Sequence, residues 1–568
     1  MTLQLRIMFF FTSPLLLIAL AFNLLPAQAE LVQVRLQSGP TVDGRSVSGI
    51  ETFNGIPYAV PPIGSLRLRP PQRLPSDQID RVDATGTAAA CPQLLLSPAD
   101  DTIVGQIGGK LLQAHFLSNL TGQEDCLTVS VQRPANTKAD AKLPVLFWIF
   151  GGGYAFGATT TYDASSMVAE GVANSQPFIY VAVNYRLNGF GFLPGAEVLE
   201  EGSANVGLLD QRLALEWVAD NIEQFGGDPD KVTIWGESAG AHSVFYQMAL
   251  FDGNATYKGK PLFRAGILNS GVGVPAEPMD GPKGQAVYDK VVAEAGCGKA
   301  ADTLACLRNL DYETYYKAVT ENFNSAISFY GTKISFLPRP DGRNLLLSPE
   351  EAAATGRYFA VPIIVGNQED EGTLFSLFQR SIESDAELVD YFADNYFANL
   401  SKAHLTDWVT SYSASNMGSP FRSPKINGLY PMFKQIAATI GDQSFILARR
   451  KFLESHSAAY PDVPAWSYLS SYAHYLPILG TAHATDLAQV FFGLPPTLTT
   501  KSTRQFYRNF LYNLDPNSGA DDNLSWPLWR ENRTLLWFET LFKNSHLTDD
   551  FRSRQYAALL KLGDSARQ

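Results

Sequence analysis

The chain has 568 residues, of which 45% fall in the AVILMFWYC class, 12% are aromatic and only 18% are charged, which excludes a disordered chain, a coiled coil and a collagen-like repeat. Lys and Arg total 44 against 56 Asp and Glu, a net charge of −12. An acidic chain without a basic run is poorly suited to a phosphate backbone, so no nucleic-acid partner is expected.

The N-terminus reads as a secretory signal. Arg6 precedes an apolar run over residues 7–25, and Ala27-Gln28-Ala29 supplies a small-residue cleavage site. The run is long enough to span a bilayer, but Pro14, Asn23 and the cleavage site weigh against an anchor. Residues 1–29 are therefore expected to be removed, leaving 30–568 as a secreted, extracellular single domain enlarged by insertions. In that compartment Cys91, Cys126, Cys297 and Cys306 fit two disulfides. Three pairings are open, and the short loops favour Cys91–Cys126 and Cys297–Cys306. With no Cys-x-x-Cys spacing and no His pair beside the cysteines, no metal site is expected. Asn119, Asn254, Asn399, Asn523 and Asn532 each begin an Asn-x-Ser/Thr sequon and are candidate glycan sites at the surface.

Further along, short apolar runs alternate with a longer amphipathic one. Residues 143–150 (LPVLFWIF) predict a buried strand ending in Gly151-Gly152-Gly153. Residues 178–184, 231–235, 265–268 and 361–365 predict further buried strands. Between the second and third of these five lies a predicted helix over 205–225. Leu208, Leu209, Leu213, Trp217, Ile222 and Phe225 recur at helical spacing, and Gly226-Gly227-Asp228-Pro229 stops it. This rhythm predicts a mostly parallel sheet flanked by helices, and residues beyond about 300 look more helical.

The strongest local signal is Gly236-Glu237-Ser238-Ala239-Gly240, directly after the 231–235 strand and before an apolar helical stretch over 241–250. Such a turn needs glycines because the backbone passes close to the sheet. It lifts the serine hydroxyl above the strand ends, at a helix N-terminus. A serine needs a base, and seven histidines exist: His115, His242, His404, His456, His474, His483 and His546. In chain order the base of such a fold follows the serine, which removes His115, and His242 sits on the serine's own helix. Five histidines and several acids remain open. Backbone N–H groups of the Gly151–Gly153 run, with that of Ala239, are the candidate oxyanion donors. A dinucleotide loop is excluded because Phe156 stands where its third glycine would be needed.

With these residues in view, the chain resembles the type-B carboxylesterase and lipase family. The resemblance rests on Phe225-Gly226-Gly227 followed by Val232 through Gly240, and on Glu124-Asp125-Cys126-Leu127-Thr128-Val129-Ser130-Val131. It also rests on Asn54-Gly55-Ile56-Pro57-Tyr58-Ala59 and Asn184-Tyr185-Arg186, while Gln132 departs from the family's apolar residue. Trp148 through Gly153, Tyr257 through Gly266, and Gly441-Asp442 with Ala448-Arg449-Arg450 resemble secreted fungal lipases and sterol esterases, which share Phe150. The resemblance implies an α/β-hydrolase fold and an acyl-enzyme mechanism that needs no cofactor. Asp370-Glu371-Gly372-Thr373 matches the acid motif, implying Glu371, with Asp370 the nearest alternative. Gly480 through Leu487 matches the histidine motif, implying His483. The expected triad is thus Ser238, Glu371 and His483, with Gly152, Gly153 and Ala239 as the oxyanion hole.

The resemblance further implies that the loop over 92–125 is a lid whose apolar face (Ile103, Val104, Ile107, Leu111) makes transient contact with a lipid interface. A fixed surface loop is the competing expectation. No Trp lies in the loop to hold a quaternary ammonium, so choline esters are not expected. Expected substrates are acylglycerols or sterol esters. The alternatives are a carboxylesterase for short-chain or secondary-metabolite esters, acyl transfer to an alcohol, and a non-catalytic carrier or adhesion protein on the same fold.

Overall fold

The computed structural model describes residues 29–37, 39–75, 78–94, 122–323, 328, 330–397, 400–414, 417–423, 428–518 and 524–566. The expected signal (but for Ala29), most of the expected lid, His115 and the sequons Asn119, Asn399 and Asn523 lie outside the described residues.

Five strands come first: β1 (Glu30–Arg35), β2 (Thr41–Val47), β3 (Ile50–Pro57), β4 (Arg81–Asp83) and β5 (Thr128–Pro134). Next come β6 (Leu143–Ile149), β7 (Ile179–Val183), β8 (Gly227–Glu237) and a small hairpin, β9 (Thr256–Tyr257) with β10 (Lys260–Pro261). The last are β11 (Ala265–Asn269), β12 (Ile363–Gln368), β13 (Ala465–Ser470), β14 (Thr534–Thr540) and β15 (Lys543–Thr548). All but the hairpin join one 13-stranded sheet in the order β1-β2-β3-β5-β7-β6-β8-β11-β12-β13-β14-β15, with β4 beside β2. From β7 to β14 every neighbouring pair is parallel, and the pairs outside that range are antiparallel except β2 with β4, which is parallel. This is the α/β-hydrolase arrangement.

The five predicted strands appear at β6, β7, β8, β11 and β12. Strand β8 is longer than its apolar core suggests and runs through Asp228-Pro229 to Glu237. The predicted helix over 205–225 is an α-helix, Val206–Asn221, tightened to a 3₁₀ turn at Ile222–Phe225 and ended by Gly226 at φ +86°. A Cβ at Gly226 would also meet the Lys138 carbonyl at 2.5 Å.

Side chains alternate across β8. Trp235 meets Trp148 and Phe491 at centroid distances of 4.2 and 4.9 Å, so helix Asp486–Phe492 covers its face of the sheet. Helices Val206–Asn221, Ala239–Gly253 and Leu447–Ala459 also pack against the sheet. A separate apolar cluster, with Trp408, Phe392, Ile436 and Leu405 at its heart, lies among the helices that follow β12. The connection carrying the expected lid is fixed at its base. Cys91–Cys126 has a Cα separation of 5.0 Å, Ala90 bridges Gly122, and Arg67 bonds the buried Glu124. Cys297 and Cys306 form the second disulfide.

The strand registers align the carboxyl ends. Ile149 of β6 pairs with Gly236, Glu237 with Asn269, Asn269 with Gly366, and Gln368 with Ser470. The glycine run, the serine turn, the acid motif and the histidine-bearing connection therefore leave the same edge of the sheet, where open parallel sheets form their crevice.

Candidate active site

Ser238 sits between β8 and helix Ala239–Gly253 at φ +56° and ψ −125°, a backbone state that L-residues rarely adopt. Its N–H donates to the Asn269 carbonyl at 2.9 Å and its carbonyl accepts from the His242 N–H at 2.9 Å, which pins the turn to β11 and to its own helix. Two glycines make the turn possible. A Cβ at Gly236 would stand 2.2 Å from the Gly240 carbonyl carbon, and one at Gly240 would stand 2.0 Å from the Ile149 carbonyl oxygen. The glycine run presses against this turn, for a Cβ on Gly151 would lie 2.4 Å from the Glu237 carbonyl oxygen and 2.9 Å from Ser238 Cβ. Gly152 and Gly153 both have positive φ, +102° and +61°. Among the described residues, the N–H groups of Gly152, Gly153 and Ala239 donate to no carbonyl or side chain, so three donors beside the serine are uncommitted.

Of the histidines, His483 is the one brought here. Its Nδ1 meets Glu371 Oε2 at 2.5 Å, and Glu371 Oε1 accepts from the Gln368 N–H at 2.8 Å and from Asn367 Nδ2 at 3.2 Å. The ring packs between Phe375 and Phe445, at centroid distances of 5.0 and 4.7 Å. Its Nε2 makes no hydrogen bond among the described residues, and neither does the Ser238 hydroxyl. The imidazole stands beside the serine turn, because Nε2 is 3.2 Å from Oε1 of Glu237, the residue before Ser238. In unliganded enzymes the nucleophile–base hydrogen bond is often not made.

The other described histidines are bound to other partners or lie on other elements. His242 is buried and accepts from the Gly273 N–H at 2.7 Å, and burial lowers its pKa to about 3, which keeps it neutral. His456 is buried on helix Leu447–Ala459 against Tyr358. His404 and His546 lie away on helix Lys402–Thr410 and strand β15, and His474 bonds back to the Ser471 carbonyl. Asp370 uses both carboxylate oxygens on other partners and does not touch His483.

Two acids near Glu371 and His483 escaped sequence reasoning. Glu237 is buried at the end of β8. Burial, aided by Asp486 and Glu371 and opposed by His483, raises its pKa to about 8. Asp486 accepts from Asn269 Nδ2 at 2.7 Å, and burial raises it to about 6 despite that bond. For His483, burial disfavours the imidazolium. The negative charges of Glu237, Glu371 and Asp486, with the Glu371 hydrogen bond, outweigh it and hold the pKa at about 9. Protonating Glu237 removes part of what holds the His483 proton, so the two titrate as a unit. The one advance signal for Glu237 was its place within the serine pentapeptide, at the end of a strand too apolar to be solvated.

A base must be neutral to act, so activity is expected to rise with pH through the neutral-to-alkaline range. Glu237→Gln, which removes the leading attraction on the imidazolium, is expected to move that limb of the kcat/KM profile about one pH unit toward acid. A profile from pH 5 to 10 measures this (as an order-of-magnitude window). An unmoved limb refutes the coupling. The stability sign is opposite. The His483 contribution is fully present below its unfolded pKa of 6.5 and is lost as pH rises through about 9. The raised acids Glu237 and Asp486 also cost stability as pH climbs from their unfolded values of 4.5 and 3.8 toward 8 and 6.

The model of the carboxylesterase family matches residues 29–556. The chain belongs to the carboxylesterase family. It is 52% identical over 531 residues to the secreted triacylglycerol lipase LIP1 of Gibberella zeae, covering 93% of this chain and 90% of that protein. It is 50% identical over 520 residues to the secreted lipase 1 of Botryotinia fuckeliana, covering 91% and 90%. Among solved structures, Aspergillus niger EstA superposes with a TM-score of 0.77 at 25% identity, over 95% of this chain and 99% of that one. No helix among the described residues is long and apolar enough to cross a membrane. This family member is a secreted carboxylic ester hydrolase.

Proposed function

We propose that Ser238 is the nucleophile of an acyl-enzyme mechanism, with His483 as its base and Glu371 as the group that orients His483. The observation that supports this most directly is the 2.5 Å contact between His483 Nδ1 and Glu371. It commits Nδ1 to the carboxylate and leaves Nε2 free to take a proton from the serine standing beside Glu237. His483 accepts the Ser238 proton as the oxygen attacks the ester carbonyl, and Gly152, Gly153 and Ala239 donate to the developing oxyanion. The imidazolium returns that proton to the alkoxide leaving group. Water then cleaves the acyl-enzyme by the same steps, regenerating Ser238 and releasing the carboxylic acid. Residues 30–568 act as one catalytic unit, with 1–29 removed as a signal.

The substrates are proposed to be acylglycerols or sterol esters. This reading is supported by the relatives named as lipases and by the aromatic wall that Phe375 and Phe445 build at His483. The loop over 92–125 is proposed to act as the lid that meets the lipid surface, and Asn254 and Asn532, both exposed, to carry glycans. A series of acyl esters of increasing chain length, with a triacylglycerol and a sterol ester added, tests the substrate reading. The expected result is a higher kcat/KM on long acyl chains and a rise in rate as the substrate passes its micelle or droplet threshold. A preference for acetyl and butyryl esters, with no rise at the threshold, supports the short-chain carboxylesterase reading instead.

A further inference from the structure

The acid motif sets two carboxylates side by side, and only one of them reaches His483. Asp370, two residues beyond β12, is fully buried. Its Oδ1 accepts from the Ser419 hydroxyl and from the Phe421 N–H, both at 2.8 Å. Its Oδ2 accepts from the Thr481 N–H at 2.9 Å, while the Asp370 N–H donates to the Thr481 carbonyl at 3.0 Å. One residue thus grips both backbone polar groups of Thr481, two positions before His483. Ala482, between them, pairs with Asp370 in a parallel bridge. Gly480 has φ +58°, and a Cβ there would stand 2.2 Å from Asp370 Oδ2, so the carboxylate fills the space where a side chain would be. Thr373 adds a second tether: its hydroxyl lies 2.9 Å from the Asp370 carbonyl and 2.8 Å from the Leu479 carbonyl, both as acceptors.

These bonds matter because of where His483 stands. It is carried on the connection between β13 and helix Asp486–Phe492, which contains no strand or helix of its own. The contacts of Phe375 and Phe445 with its ring are apolar and only weakly directional. A buried carboxyl group accepting three donors is directional, and each donor is costly to lose. A base displaced by even about 1 Å loses on the order of 100-fold in rate. We propose that Asp370 is a positioning residue for the ester hydrolysis: its buried carboxylate locks residues 480–483 onto the end of β12 and so sets His483 against Glu371, while clamping 419–421 to the same point. The two neighbouring acids then divide the work, Glu371 orienting the imidazole and Asp370 orienting the chain that carries it.

The inference rests on the triad reading above, so its test begins with labelling of the whole secreted enzyme by an organophosphonate, which counts active sites. In Asp370→Asn the amide oxygen best replaces Oδ1, where two donors converge, which turns the NH₂ toward the Thr481 N–H and releases that end. The expected result is a kcat per labelled site lower by about 10- to 100-fold, with KM within about 3-fold of wild type. Ser419→Ala removes one donor and leaves the Thr481 grip intact. It is expected to lower Tm while keeping kcat within about 2-fold. Thr373→Val, which cuts the tether to Leu479 without changing shape, is expected to lower kcat about 3- to 10-fold, and it carries the test if Asp370→Asn does not fold. Wild-type kcat per site in the folded variants, or an equal loss in Ser419→Ala, overturns the inference alone. A wild type that the phosphonate leaves unlabelled overturns the triad reading and this inference with it.

Discussion

Ser238→Ala is expected to lower kcat for ester hydrolysis by about 10⁴- to 10⁶-fold, with KM little changed. The hydroxyl is the one group in the proposed mechanism that forms a bond to the substrate, and no neighbouring side chain replaces it. Donors of the glycine run and Ala239 survive the substitution, so a residual rate above that of water remains. The fold should tolerate the change, because alanine keeps the same Cβ at the same backbone angles and the serine hydroxyl makes no hydrogen bond among the described residues. Ser238→Gly separates strain from chemistry. Glycine adopts φ +56° readily, so this variant should be as inactive as the alanine one yet more stable than it, by about 1 kcal/mol. Stopped turnover with an unchanged Tm is the expected pair of measurements; ester hydrolysis retained in Ser238→Ala would sink the proposed mechanism.

Glu371→Gln should cost about 10³- to 10⁴-fold in kcat although it changes only one oxygen to NH₂. The reason lies in how the carboxylate is held. Oε1 accepts from the Gln368 N–H and from Asn367, so the amide oxygen of a glutamine must occupy that position. Its NH₂ then faces His483 Nδ1 and donates to it. The imidazole is forced to carry its proton on Nε2, where it no longer accepts from Ser238. The negative charge that stabilises the imidazolium is lost at the same time. The loss should fall on kcat, with KM nearly constant and Tm close to wild type. A variant that keeps more than about a tenth of wild-type kcat would remove Glu371 from the mechanism.

Local backbone physics made much of the architecture legible. Residues 143–150 and 178–184 read as buried strands because parallel strands covered on both faces are continuously apolar, and they appear as Leu143–Ile149 and Ile179–Val183. The margins were harder. Strands β1 and β2 are half exposed, and Gly44 interrupts β2 where a Cβ would meet the Phe53 ring at 2.4 Å. Their meaning comes from the neighbour they pair with and not from their own composition. The helix-rich region after β12 was expected, but its separate apolar cluster around Trp408 and Ile436 was not.

The sequence by itself determined the serine turn. Gly236 and Gly240 are demanded by contacts within a few residues and by the strand ends beside them, so their spacing announces the geometry wherever the rest of the chain goes. Residues alone left five histidines and several acids open, and the family resemblance narrowed them to His483 and to Glu371, with its neighbour Asp370 the nearest alternative. Only the tertiary structure decided which carboxylate of the pair meets the imidazole, that the other is spent on Ser419, Phe421 and Thr481, and that Glu237 stands against Nε2. Those relations join groups far apart in the chain, 112 positions between Glu371 and His483 and more than twice that between Glu237 and His483. Their distances are set by strand registers and loop closures, which no local pattern of residues encodes.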